Sequence, residues 1–370
     1  MWRKGALFPP EHAISRDRRT GAVVHQVTNH PSINHPSYFL HSSFTPDQKA
    51  LLFTSYRSGA PQLFEAAFPS GGIRQLTEGP PIHPFSPAIA PDGSRVFFVR
   101  GGSVWAVDRA TLEEQLIFEL SGAQLGECSL SPDGCWITAA CKRGGSAGIA
   151  VGRADGNAWR VIPFPRTVIH PQFSPVEPEW IEFAGDPAPR MHRVRRDGSG
   201  LECLYENTND EFVVHETFLG LTGDLVFAVW PRALKRMNWR TRAIETIAEC
   251  NAWHIAADRA GTVVLCDTNH PDAGVQLIRV ASGERKTLCY PEASNQGSQW
   301  RKSRYALEED WAAARSEKEN ALSSMEMSVD TVYGPQWTHP HPSFSPDEKL
   351  VAFASDRTGF TQVYVVERDE

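Results

Sequence analysis

A turn followed by a short apolar run recurs seven times along the 370 residues, and no other feature limits the fold as tightly. Phe44-Thr45-Pro46-Asp47 leads into Ala50-Leu51-Leu52-Phe53, and Ala90-Pro91-Asp92-Gly93 into Val96-Phe97-Phe98-Val99. Ser131-Pro132-Asp133-Gly134 precedes Trp136-Ile137-Thr138, Phe173-Ser174-Pro175 precedes Trp180-Ile181-Glu182-Phe183, and Phe344-Ser345-Pro346-Asp347 precedes Leu350-Val351-Ala352-Phe353. Two copies lack the proline: Leu221-Thr222-Gly223-Asp224 before Leu225-Val226-Phe227, and Asp258-Arg259-Ala260-Gly261 before Val263-Val264-Leu265. The first four prolines stand 45, 41 and 43 residues apart, the period of a four-stranded propeller blade.

The unit has a mechanical reason. Proline presets φ for the first central turn position, and Asp and Gly suit the positions after it. The apolar run that follows is too short for a helix and rich in Val, Ile, Phe and Trp, which reads as a buried strand. A β-sandwich is the competing architecture, but a sandwich gives no reason to repeat one turn tetrad at one period. The pattern predicts an all-β fold, a seven-bladed β-propeller forming one domain over residues 1–370. The segment 20–28 is expected to complete the last blade and so remove the open edges of the ring.

Between Asp258 and Asp347 the spacing doubles to 89 residues. The excess falls near 294–332 and carries an Ala/Glu/Arg-rich stretch around Tyr305–Arg315, which predicts a short helical insertion at the rim. A lid and a solvated decoration are equal readings of it.

Charge and composition narrow the partners. A formal net charge of −7 and a pI near 6.0 argue against nucleic acid, which requires a surplus of clustered Lys and Arg. No apolar stretch is long enough for a membrane span or a signal peptide. The seven cysteines are scattered without a C-x-x-C pair, so neither a disulfide framework nor a zinc ribbon is expected, and a cytoplasmic location is. Oligomeric state is left open.

Chemistry-bearing residues cluster just ahead of the turns. Gln336-Trp337-Thr338-His339-Pro340-His341-Pro342 is the densest group; in an extended segment His339 and His341 share a face and form a natural metal-binding pair. His254 lies in a comparable position before the sixth turn, and His35, His41, His83, His170 and His215 precede others. Equivalent points of successive blades converge on the propeller axis, so these histidines can meet although far apart in the chain.

The Thr-His-Pro-His-Pro-Ser-Phe-Ser-Pro-Asp segment at 338–347, with Thr20-Gly21 and His35-Pro36-Ser37-Tyr38-Phe39 near the start, resembles the oligogalacturonate lyases of polysaccharide lyase family 22. The resemblance runs over nearly the whole chain. It implies a divalent metal, most commonly Mn²⁺, held by His254, Gln336, His339 and His341. It implies His215, in a His-Glu pair, as the general base and Arg190, in an Arg-Met pair, as the group neutralising the substrate carboxylate. His35, Tyr38 and His170 would contact substrate. The implied activity is β-elimination of short oligogalacturonides, the dimer or trimer, to 4,5-unsaturated products. The chemistry is coherent: neutral ligands leave the ion its full charge to offer a carboxylate, which acidifies the adjacent C–H. The plain alternatives are a surface ion pair for Arg190 and a satisfied core histidine for His215. The rival for the whole chain is a non-catalytic propeller of the TolB type serving as a protein-binding platform. A lyase for another uronide is also open, whereas a glycoside hydrolase would need a carboxylate pair that is not evident.

Overall fold

The computed structural model describes residues 3–186, 188–208, 211–269, 271–294 and 336–368. They form seven antiparallel sheets, one after another along the chain, in the expected seven-bladed propeller. Blade 3 is representative: Ala123–Leu130, Trp136–Arg143, Ser146–Arg153 and Arg160–Phe164 pair in simple sequence order. Blades 4, 5 and 6 open with Thr167–Phe173, Val213–Phe218 and Ala252–Ala257. The predicted helical stretch within 294–332 lies, apart from Ser294, outside the described residues.

The recurrent turns have a common bonding scheme. Ser131 Oγ donates to Asp133 Oδ1 (2.5 Å) and accepts from the Trp136 amide (2.9 Å). Thr45 and Ser345 do the same with Asp47 and Asp347 and with the amides of Ala50 and Leu350. The hydroxyl ahead of the proline is thus as much a part of the unit as the proline and aspartate. In blade 6 the Asp258 carboxylate takes over, accepting from the amides of Thr262 and Val263 at 2.7 and 3.0 Å. Asp258 thus takes the place of the hydroxyl residue in this proline-less turn. Gly134 has φ +67, and a Cβ there would come within 2.8 Å of Pro91 Cδ, so consecutive turns also pack on one another.

The second strand of each blade is sealed between neighbours. Leu265 of blade 6 packs with Phe353 and Tyr364 of blade 7 and with Val24 in one buried cluster. Complete burial of a side chain such as Phe353 contributes about 1.5–3 kcal/mol. The ring is closed by the N-terminal chain. Val23–Gln26 pairs antiparallel with Gln362–Glu367, with Val24 opposite Val366, and Ala13–Arg16 lies outside it. Leu7–Phe8 instead adds to the outer edge of blade 1. A buried Arg57 on blade 1 donates to both carboxylate oxygens of Glu11, at 2.9 and 3.2 Å, and ties the two attachments together.

Candidate active site

The first strands of blades 3 to 6 each carry a β-bulge at the same place. Two residues stand where the partner strand has one: Gly126-Glu127, His170-Pro171, His215-Glu216 and Trp253-His254. A bulge interrupts the pleat and re-aims side chains. His170 and His215 take left-handed φ values of +55° and +50°, conformations sparsely populated by non-glycine residues. Four separated pairs of residues are thereby aimed towards one another. The fifth contribution comes from His339 and His341 ahead of Ser343–Phe344 in blade 7. This segment is not the extended stretch the prolines suggested. Gln336–Thr338 is a 3-10 turn and His341 has φ +45°, so the left-handed residue, rather than strand alternation, sets the ring directions.

The imidazoles are packed closely. The His254 ring centroid lies 3.7 Å from that of His341, 4.2 Å from His215 and 5.4 Å from His339. Asp267, directly opposite the blade 6 bulge, organises the group. Its carboxylate accepts from His254 Nδ1 (2.8 Å), from the His254 amide (2.6 Å) and from the His341 amide (3.2 Å). Burial pushes Asp267 up to about 7, against these donors. With Nδ1 engaged, His254 presents Nε2, which is buried and has no hydrogen-bond partner. A carboxylate behind a histidine whose other nitrogen is open is the arrangement that orients a metal ligand.

Burial, then His339 and His170, lowers the pKa of His254 well below the ordinary histidine range, and an uncharged imidazole suits a divalent cation in donor chemistry. His339 fits less directly, because its Nδ1 accepts from Trp253 Nε1 at 3.1 Å and the ring proton then sits on Nε2. Among the described residues, no three His, Cys, Asp or Glu side chains are arranged as a chelate. The rings of His254 and His341 are tilted at 34° to each other.

Beside this group lies a buried charge network. Arg190 Nε donates to Glu216 Oε2 at 2.8 Å, and His170 Nδ1 donates to Glu216 Oε1 at 3.2 Å. Tyr38 Oη donates in turn to His170 Nε2 at 2.9 Å. Burial works against the Glu216 charge, but Arg190 and His170 outweigh it and hold the carboxyl at about 2. Glu182, fully buried nearby, shifts the other way, raised by burial and by the Glu216 charge. Arg190 is thus neither exposed nor uncompensated. His215 sits between the network and the imidazoles. Burial, then His254, His170 and Arg190, depress its pKa well below the ordinary histidine range, and its Nδ1 has no hydrogen-bond partner.

A turn from blade 1 crosses beneath these side chains. His41 N bonds Tyr38 O (2.9 Å), His41 Nε2 donates to Cys128 O of blade 3, and Ser42 Oγ donates to Phe344 O of blade 7. Held at both sides, the turn sets the Phe39 ring 5.3 Å from both His170 and His215. A separate cavity of about 280 Å³, lined by Phe39, Thr217, Ala257 and Phe344, lies towards the turn ends of the first strands. The turn thus borders this cavity through Phe39, Leu40 and His41 while the Phe39 ring also touches His170 and His215.

Of the candidate residues, His170, Arg190, His215, His254, His339, His341 and Tyr38 come together. Gln336 heads the 3-10 turn that leads to His339. His35 stands one ring away. Its imidazole packs 4.6 Å from Phe85, which touches Tyr38 and His341, and burial lowers its pKa to about 4. Asp267 and Glu182 were not foreseen. Each is a carboxylate interrupting an apolar second-strand run, Val263–Thr268 and Trp180–Asp186, and that interruption was the available signal.

The family model described as oligogalacturonate lyase matches residues 3–155. Curated relatives extend the match: the oligogalacturonide lyase of Pectobacterium atrosepticum is 21% identical, covering 98% of this chain and 97% of its own. The oligogalacturonate lyase of Dickeya dadantii is also 21% identical, over 95% and 94%. The chain is similar to the oligogalacturonate lyases over nearly its whole length. A solved oligogalacturonate lyase in complex with manganese superposes with a TM-score of 0.83 at 20% identity, covering 100% of this chain and 99% of that one. The oligogalacturonate lyase of Vibrio parahaemolyticus gives 0.82 at 20% identity, with the same coverage. At that identity the structural likeness speaks for the fold, and the roles of individual side chains have to be argued from their geometry.

Proposed function

We propose that this chain is a metal-dependent lyase that cleaves short oligogalacturonides, the dimer or trimer, by β-elimination to 4,5-unsaturated uronates. The observation that carries the reading is the juxtaposition of an uncharged, unpartnered His215 with the Arg190–Glu216 pair on one side and the orphaned Nε2 of His254 on the other.

β-Elimination removes the proton on C5, beside the carboxylate, and expels the oxygen on C4. His254, His339, His341 and Gln336 would hold the divalent ion, which, when bound, supplies positive charge to the substrate carboxylate. Arg190 adds to that charge from a fixed position, because Glu216 anchors its Nε edge. His170 braces Glu216 from the other side and is itself held by Tyr38. His215 is the base. A depressed pKa keeps it neutral at neutral pH, so its open nitrogen can take the C5 proton, and the electron pair left behind forms the C4–C5 double bond as C4–O4 breaks. The departing O4 takes up a proton, giving a new reducing end and an unsaturated uronate.

Purified protein incubated with digalacturonate and Mn²⁺ is expected to produce ultraviolet absorbance from the conjugated product. No absorbance and no keto-acid product across several uronides would refute the lyase reading. Elemental analysis of the native protein reads the metal independently of turnover.

A further inference from the structure

Glu127 is the charged residue of the bulge set that the mechanism leaves without a task. It occupies in blade 3 the second bulge position, which in blades 5 and 6 is filled by Glu216 and His254. It is 4% exposed, and its Oε2 is fully buried with no hydrogen-bond partner. Withholding a carboxylate oxygen from both water and protein donors is costly, so such an atom marks a place where a ligand donor is due. Its surroundings also place it at the axis. Tyr38, whose hydroxyl is raised first by burial, feels the Glu127 charge next, ahead of Arg190, Glu216 and Asp267. The neighbouring Cys128 carbonyl is tied by His41 to the turn that carries Tyr38.

We infer that Glu127 is a specificity-determining residue that accepts hydroxyl hydrogens from the sugar ring of the bound uronide. The inference rests on the reading of the site as a uronide lyase and deepens it. A carboxylate is suited to a ring hydroxyl, a donor, and repels a uronate carboxylate. Arg190, and the ion that the imidazoles would hold, have the opposite preference. The two sides of the site, blade 3 against blades 4 to 7, then sort the two edges of a uronide: carboxylate towards Arg190, hydroxyls towards Glu127. A sugar entering the wrong way round would set its carboxylate against Glu127.

The test is the steady-state kinetics of Glu127→Ala with digalacturonate and with digalacturonates O-methylated at single ring hydroxyls. The expected result is a rise in KM of about tenfold or more with a smaller change in kcat, the loss of one charged hydrogen bond. Bound metal should stay as in the unaltered protein. The unaltered protein should discriminate against one methylated substrate, and the variant should lose that discrimination. Glu127→Gln, which keeps an acceptor oxygen, should recover part of the KM. If the alanine variant does not fold, Glu127→Asp, which withdraws the carboxylate by one methylene, carries the same comparison. An active unaltered protein whose variant keeps both KM and discrimination overturns the role of Glu127 alone. Inactivity of the unaltered protein on all uronides overturns the lyase reading, and this subsite with it.

Discussion

The two ends of the blades' first strands obey opposite rules. At the outgoing end, Ser131, Thr45 and Ser345 repeat one chemical solution, a hydroxyl bridging an aspartate and a backbone amide. At the other end the backbone repeats and the side chains do not. The same bulge presents Glu127, His170, His215-Glu216 and His254 in successive blades. Chemical repetition serves the fold; geometric repetition with varied chemistry gives the axis several different groups. The difference teaches that residues from the two ends should fail in different ways when altered.

The sharpest contrast is expected at the bulges. His215→Ala should lower kcat by about 10²- to 10⁴-fold, as loss of a general base does, while metal content and melting temperature stay unchanged. His254→Ala should lose both turnover and bound metal, read by elemental analysis. Retention of stoichiometric metal by that variant would remove His254 from the ligand set. Arg190→Ala crosses the boundary between the two classes. It leaves the buried Glu216 with His170 alone, so a loss of up to about 3–5 kcal/mol of stability in chemical denaturation should accompany the loss of activity.

At the turn end the effect should be smaller and structural. Ser131→Ala removes one hydroxyl that serves two bonds and should cost about 1–2 kcal/mol with kcat unaltered. A catalytic defect without a stability defect there would erase the distinction between the ends. The smallest effect is on pH dependence. The carboxyls of Asp47 and Asp133 are held below the ordinary value of 3.8, chiefly by the hydroxyls of Thr45 and Ser131. Depressed values stabilise the fold above pH 3.8, and that contribution is lost as pH falls through the folded-state values. Both groups are largely solvated, so the shift is modest. Melting temperature should decline as pH falls below about 4, less steeply in Asp133→Asn, and an unaltered slope in that variant would contradict the assignment.

The periodic turns and the apolar runs behind them were enough to reach seven blades, because turn chemistry and strand burial are local and each copy repeats them. The strand that closes the ring was legible for a related reason: Val23–Gln26 is short, opens on two valines and is placed before the first turn. The site was legible only in part. His-Pro-His at 339–341 and His254 stood out by residue type and phase. The bulges did not, since an extra residue in a strand leaves no mark when the strand is read alone. Their existence depends on the partner strand being one residue short, which is a property of two segments paired in space.

The sequence by itself therefore determined the architecture and the kinds of groups available at the axis. Tertiary structure decided their states. Asp267 reaches His254 and leaves its Nε2 open, Glu216 anchors Arg190, and the Tyr38–His41 turn is tied to blade 3, each by a contact between distant parts of the chain. Burial then fixes the charge: it keeps His215 neutral and sets Glu182 and Glu216 apart. Protonation depends on the distance to other charges and on exclusion of water, and neither is defined until the blades have closed around the axis.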